Sequence, residues 1–378
     1  MKLQRKNMLR ASALGALVVS SALVLTACGS DNNTKTDATA SGKPSAAASD
    51  VKCDGAKGKL LASGSSAQKN AVDLWIKNYM AACSGVEVNY KSSSSGEGIV
   101  AFNQGTVGFA GSDSALKPDA VEESKKVCTG GQGIDLPMVG GPIAIGFNVA
   151  GVDKLTLDAP TIANIFNDKI KKWDDDAIKK LNPGVTLPST AIQAFHRSED
   201  SGTTENLGKY LKAAAPDAWS YDAAKKWPAP GGQAASGSAG VASQVKAVDG
   251  AIGYFELSYA SSQSIKTVDV NTGAAAPVKA SSENASKAIA AAKIAGTGDD
   301  LALKLDYTTK ADGAYPIVLV TYEVVCDKGN KAETLPTVKS FLNYTASDAG
   351  QKALSEIGYA PIPAEINAKV REVIAKLA

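Results

Sequence analysis

Short apolar runs alternate along this chain with segments of helical period, and small-residue loops sit at the junctions. That rhythm restricts the fold more than any other feature. Lys59-Leu60-Leu61-Ala62 runs into Ser63-Gly64-Ser65-Ser66; Val72, Trp75, Ile76, Tyr79 and Met80 then recur at the spacing of one helix face. Val86, Val88 and Tyr90 alternate as a strand does, a Ser/Gly loop covers 92–98, and a short helix is predicted around 99–103. Another strand is predicted over 107–110, ending in Gly111-Ser112-Asp113. Strand, loop and helix in repeating order need crossover connections, so the chain reads as α/β with parallel strands. Further strands are predicted at 143–149, 191–195, 251–255 and 317–325. Further helices are predicted around Ile162, Ile165 and Phe166, over 338–344 and over 364–377. The Ala/Gly/Ser segment 231–240 reads as a surface loop.

A length of 378 residues is about two domains' worth, and 44% hydrophobic with 21% charged is an ordinary globular balance. Lys+Arg 40 against Asp+Glu 38 leaves no basic excess to hold nucleic acid. His196 is the single histidine, which rules out a His-rich metal site and argues against a Ser-His or Cys-His enzyme.

Lys2, Arg5, Lys6 and Arg10 precede an apolar stretch at 11–26, too short and too soon ended for a comfortable membrane span. It closes in Leu25-Thr26-Ala27-Cys28, which resembles a lipobox. That resemblance implies cleavage of a signal peptide, 1–27, and lipidation of Cys28. An ordinary secretory signal would export the chain equally well. Without the four basic residues of the signal, Lys+Arg falls to 36 against 38 acidic residues. Residues 29–50 contain no Val, Ile, Leu, Met, Phe, Trp or Tyr, too little apolar matter to offset ordering entropy. The reading is a flexible tether, with lipidated Cys28, over 28–52. Setting Cys28 aside, Cys53, Cys83, Cys128 and Cys326 are an even set for an oxidising compartment. Three pairings are open; Cys53–Cys83 with Cys128–Cys326 is favoured, the first joining the start of a strand to the end of the following helix. No C-x-x-C supports a zinc site.

Three polar loops follow strands: Ser63-Gly64-Ser65-Ser66, Ser93-Ser94-Ser95-Gly96-Glu97-Gly98 and Glu199-Asp200-Ser201-Gly202-Thr203. Ligands of open α/β sheets bind at that edge. Free N–H groups at helix starts, the helix dipole and hydroxyl donors favour an anion there. Arg197, four residues before Ser201, offers a bidentate fork. Each loop taken alone reads as well as a helix cap, and an isolated arginine as a surface residue. Trp75, Trp173, Trp219 and Trp227 read as core or surface residues rather than ligand contacts, and His196 as a neighbour of the site.

These loops, together with Gly105-Thr106-Val107-Gly108-Phe109-Ala110-Gly111-Ser112-Asp113, Arg197-Ser198-Glu199-Asp200-Ser201-Gly202-Thr203, Lys169-Ile170-Lys171-Lys172-Trp173-Asp174-Asp175, Leu181-Asn182-Pro183-Gly184 and Gly250-Ala251-Ile252-Gly253-Tyr254, resemble the phosphate-binding protein of the high-affinity phosphate ABC importer. The resemblance runs in order over nearly all of 57–365. It implies a type II, Venus-flytrap periplasmic-binding-protein fold: two mixed sheets flanked by helices, with a two-segment hinge. Lobe 1 would combine 53–139 with 316–378, and lobe 2 would span 140–315. Both favoured disulfides would then lie within lobe 1. It implies phosphate contacts from Ser66, Ala67, Ser95, Asp113, Arg197, Ser201, Gly202 and Thr203, with Glu199 orienting the arginine; within the serine run, Ser94 could take the place of Ser95. It implies no catalysis, metal or cofactor, and a monomer, lipid-anchored outside the cytoplasmic membrane, serving a permease and its ATPase. A carboxylate at position 113 suits a ligand that brings its own proton, as phosphate does and sulfate does not. A phosphate-ester hydrolase lacks its machinery here: there is no G-x-S-x-G and no P-loop. An adhesin or signalling lipoprotein could keep the fold with an altered ligand, but the match at Arg197, Ser201, Gly202 and Thr203 argues against it. A receptor for sulfate or molybdate would leave Asp113 hard to explain.

Overall fold

The structure is a computed structural model that describes residues 51–378, all within one compact unit. The expected signal peptide 1–27, the expected lipidation at Cys28 and the expected tether up to residue 50 lie outside the described residues. Val51 already packs against an apolar core, and the Lys52 carbonyl accepts a hydrogen bond from Ser340 Oγ (2.7 Å).

The chain opens with β1 (Gly58–Ser65), α1 (Lys69–Ala82), β2 (Val86–Ser93), α2 (Ser95–Asn103), β3 (Phe109–Ser112) and α3 (Pro118–Ser124). It continues through β4 (Gly133–Asn148), β5 (Thr156–Asp158), α4 (Ala159–Phe166) and α5 (Asp176–Leu181). Next come β6 (Gln193–Arg197), α6 (Gly202–Ala214), β7 (Gln233–Ala235), α7 (Gly237–Ala247), β8 (Ala251–Glu256) and α8 (Leu257–Gln263). Short elements follow: β9 (Lys266–Thr267), β10 (Asp269–Asn271), β11 (Val278–Lys279), α9 (Ser282–Ala290), β12 (Lys293–Ile294) and β13 (Leu303–Lys304). The chain ends with β14 (Val318–Cys326), α10 (Leu335–Thr345), α11 (Asp348–Ser355) and α12 (Ala364–Lys376).

The fold is α/β with a mixed sheet flanked by helices. Its strand order is β2-β1-β3-β14-β4-β8-β6-β7, with β9 added beside β4. Strands β2, β1 and β3 are mutually parallel at one end, and β8, β6 and β7 at the other. The antiparallel strands β14 and β4 stand between them. The two expected sheets are therefore continuous through one long strand: residues 133–142 of β4 pair with β14, and residues 143–148 pair with β8. The first half of β4 was not legible. Pro137, Gly140, Gly141 and Pro142 break the strand pattern there, and proline ordinarily argues against a central strand. Pro142 stands where the strand changes partners, and Pro137 faces Tyr322 at the register shift in the pairing with β14.

Two apolar cores flank this junction. One holds Leu60, Val72, Trp75, Tyr79, Phe109, Phe341 and Ile374; the other holds Ile145, Phe166, Trp173, Leu207, Trp219 and Phe255. The helical face read from α1 buries Val72, Trp75 and Tyr79, while Met80 is exposed. Strands β8 and β14 are buried along their whole lengths, which is why their sequences are mostly apolar with no alternation, broken only by the buried Glu256, Thr321 and Glu323. Cys53–Cys83 and Cys128–Cys326 form the two disulfides, with Cα atoms 5.6 and 5.3 Å apart. Two expectations from the sequence are corrected. The helix expected at 99–103 begins at Ser95, because Ser94 caps it by accepting from Glu97 N–H (3.2 Å). Segment 231–240 is not a surface loop: it contains β7 and the first turn of α7, and Ser238 is fully buried. Its small side chains allow close packing beside β6.

Glu256 ends β8, where the two halves of the molecule meet. One of its carboxylate oxygens accepts from Ser258 N–H (2.9 Å) and from Ser258 Oγ. Ser258 in turn bonds Asn70 of α1 (2.7 Å) and Tyr359 (3.2 Å). The other oxygen, Oε1, is buried without a partner. Burial pushes this carboxyl from 4.5 to about 8, so the native state holds its proton long after the unfolded chain has lost it. Stability from this group is complete below about pH 4.5, drains away as pH rises to about 8, and then levels off. Melting temperature should therefore be lower at about pH 8.5 than at about pH 5, and Glu256→Gln should flatten that slope. A parental slope in the Glu256→Gln variant would exclude Glu256 as its source.

Candidate functional site

The carboxyl ends of β1, β3 and β6 carry their loops to one place, where helix starts from both halves meet. Ser66 lies just before α1, Ser95 in the first turn of α2, Gly202 and Thr203 in the first turn of α6, and Ser238 in the first turn of α7. N–H groups at helix starts have no intrahelical partners, so these starts add partial positive charge to the cluster.

Arg197 ends β6 and is 2% exposed. Its Nε donates to Glu199 Oε1 (2.6 Å), and Nη2 donates to the same oxygen. Nη1 reaches Thr203 Oγ1 and Ser238 Oγ, each at 3.4 Å. Glu199 also accepts from Gly237 N–H (2.9 Å), which ties the arginine to the start of α7. Burial alone would push the Glu199 carboxyl up; the Arg197 charge and its hydrogen bonds outweigh burial and hold it below the ordinary value.

Asp113 follows β3 and is also 2% exposed. Thr203 Oγ1 donates to its Oδ2 and Thr321 Oγ1 to its Oδ1, both at 2.9 Å. Its N–H donates to Ser95 Oγ (3.1 Å), and its carbonyl accepts from Asn206 (2.7 Å). Burial raises its pKa; hydrogen bonds from Ser65, Thr321 and Thr203 and the charge of Arg197 oppose that rise. Ser95 Oγ also accepts from Gly202 N–H (3.2 Å), so one hydroxyl joins the starts of α2 and α6. A Cβ at Gly202 would lie 2.6 Å from Ser95 Oγ and 2.7 Å from Asp113 Cβ, so only glycine permits this approach.

Seven of the predicted residues, Ser66, Ser95, Asp113, Arg197, Glu199, Gly202 and Thr203, stand in one hydrogen-bonded cluster. Ser66 joins through Ser238, whose N–H donates to Ser66 Oγ (3.0 Å). Two turn elsewhere. The Ala67 N–H donates to Ser65 Oγ (3.0 Å), and the Ser201 hydroxyl caps α6 by accepting from Thr204 N–H (3.2 Å). In the serine run, Ser95 rather than Ser94 faces the cluster. Two contributors were missed. Ser238 lay in a segment read as surface loop, and Thr321 lay in a run read only as a strand. Neither carries a local signal, since each is brought in by sheet order.

His196 stacks on Trp227 at 4.8 Å between ring centroids, with its Nδ1 against the Arg197 carbonyl (2.9 Å). Trp75, Trp173 and Trp219 are core residues. No group of three or more His, Cys, Asp or Glu side chains suited to a metal ion exists among the described residues.

A PBP superfamily domain model matches residues 33–349. Phosphate-binding protein PstS 3 of Mycobacterium tuberculosis is 40% identical over 370 residues, covering 97% of this chain and 98% of its own. Phosphate-binding protein PstS of Xylella fastidiosa is 32% identical over 311 residues, covering 81% of this chain and 82% of its own. The chain belongs to the PstS phosphate-binding protein family. In fold it resembles a high-affinity periplasmic phosphate-binding protein, PfluDING, solved with phosphate: TM-score 0.68, 22% identity, covering 83% of this chain and 93% of that one. A phosphate-binding protein from Stenotrophomonas maltophilia gives a TM-score of 0.63 at 20% identity, covering 83% of this chain and 93% of that one. Members of this family are transport binding proteins, so this protein is not an enzyme and the hydrolase reading is set aside.

Proposed function

We propose that this protein captures inorganic phosphate between two lobes outside the cytoplasm and hands it to an ABC permease driven by its ATPase. The observation that carries this reading is the pairing of Asp113 with Arg197 through the Thr203 hydroxyl, at a meeting of helix starts. The guanidinium, hydroxyls and backbone N–H groups supply donors for the oxygens of an anion. Asp113 supplies an acceptor, which is useful only to an anion that carries a hydrogen. Phosphate has a P–O–H at neutral pH; sulfate would bring only lone pairs against a buried carboxylate.

The two apolar cores and the partner change along β4 support lobes at 53–139 with 316–378 and at 140–315, with β4 and the strand-leading segment before β14 as the crossing pair. Gly96 N–H donates to the Asp200 carbonyl (3.0 Å), so loops of both lobes touch over the cluster beside a groove lined by Ser63, Ser93, Glu97 and Glu199. Ligand entry therefore requires these loops to part, and capture requires them to meet. The lipobox-like Leu25-Thr26-Ala27-Cys28 supports a monomeric lipoprotein held at the outer face of the cytoplasmic membrane. Partition of the parent, but not of Cys28→Ala, into a detergent phase checks the anchor.

Calorimetric titration of the purified protein with phosphate, sulfate and molybdate tests the ligand. Saturable heat with phosphate alone is expected; equal affinity for either other anion would sink the assignment.

A further inference from the structure

We propose that Thr321, from the antiparallel strand that crosses the centre of the sheet, is a specificity-determining residue: its hydroxyl holds Asp113 as a pure acceptor and so keeps sulfate out. This rests on the reading of Asp113 as acceptor of the phosphate proton.

The contact follows from topology. Tyr322 pairs with Ser112 between the antiparallel strands β14 and β3, which places Thr321 opposite Asp113 although 208 residues separate them. The pairing of β14 with β4 shifts register between Thr321 and Tyr322, an irregularity of the kind that re-aims a side chain. Thr321 is fully buried, and Asp113 Oδ1, at 2.9 Å, is its side-chain oxygen's one hydrogen-bond partner among the described residues.

A threonine hydroxyl has one hydrogen to give. Thr321 gives its hydrogen to Oδ1, and Thr203 gives its own to Oδ2. If Asp113 took up a proton on Oδ1, that proton would face the Thr321 hydrogen, and one buried hydroxyl would be left without an acceptor. Both oxygens therefore resist protonation while still offering a free lone pair to an incoming P–O–H. The neutral carboxyl is the form that could donate to an anion without a hydrogen, so penalising it is equivalent to excluding sulfate. Thr203 does the same at Oδ2 but also touches Arg197. Thr321 touches the carboxylate alone, which makes it the residue whose removal isolates this effect.

The test measures phosphate and sulfate affinity of the purified protein, its Thr321→Val and Thr321→Ser variants, and Asp113→Ala, at one pH. Valine keeps the shape and removes the hydrogen; it should strengthen sulfate binding, weaken phosphate binding and lower the phosphate-to-sulfate ratio about tenfold or more. Serine restores the hydrogen and should restore the ratio. A valine variant with the parental ratio, alongside an Asp113→Ala variant that has lost it, overturns the role of Thr321. A serine variant that falls as far as valine overturns it too, because packing would then be the cause. An Asp113→Ala variant that keeps the ratio overturns the proton-acceptor reading and this inference with it. If the valine variant does not fold, Thr321→Ala removes the same hydrogen bond without a branched side chain and is read in the same way.

Discussion

Asp113→Ala should collapse the preference for phosphate over sulfate while weakening phosphate binding itself. In the parent, an ionised carboxylate at 2% exposure meets either anion. Phosphate offsets the repulsion by donating its hydrogen; sulfate leaves two negative groups facing each other with no hydrogen between them. An unpaired buried polar group costs about 1–3 kcal/mol and a charged one more, and sites that demand a hydrogen bond reject analogues lacking it by factors of roughly 10⁴–10⁵. Alanine removes both the acceptor and the like charge. Phosphate affinity should fall by about one to two powers of ten, while sulfate affinity should rise. Titration with both anions decides it: equal loss for the two would show that Asp113 supports the site without accepting a proton from the ligand.

Arg197→Ala should cost roughly 2–5 kcal/mol of phosphate affinity, a factor of about 30 to several thousand. Arg197 is the buried cation of the cluster, and its contacts join the starts of α6 and α7. Its fork orients toward Thr203 and Ser238 on one side and Glu199 on the other. Without it, Glu199 remains at the start of α7, bound to Gly237 N–H, as an uncompensated negative charge beside the ligand. The loss thus combines missing donors with a new repulsion. Arg197→Lys should recover only part of it, because an ammonium cannot reproduce a planar fork held in two directions. Parental affinity in Arg197→Ala would remove this residue from the site.

These two residues were legible because each sits in a short segment with its own signature. Asp113 closes Gly105-Thr106-Val107-Gly108-Phe109-Ala110-Gly111-Ser112-Asp113, and Arg197 opens a loop of hydroxyls and glycine that starts a helix. Ser95 could be narrowed only to a run of serines, because the cap at Ser94 and the inward hydroxyl at Ser95 differ by one residue of helix phase. Ser201 caps α6 through its oxygen, which accepts from Thr204 N–H and leaves the hydroxyl hydrogen free to give.

The sequence by itself determined the α/β rhythm, the family and the loops that converge on the cluster, because periodicity, caps and small-residue turns are written in neighbours along the chain. It determined the supply of cysteines but only favoured their pairing. The tertiary structure alone decided that β4 runs through both halves of the sheet, that Ser238 belongs to the cluster, and that Thr321 stands opposite Asp113. The physical reason is that antiparallel register is fixed by the packing of whole strands. A threonine 208 residues away acquires its partner only when β3 and β14 lie side by side.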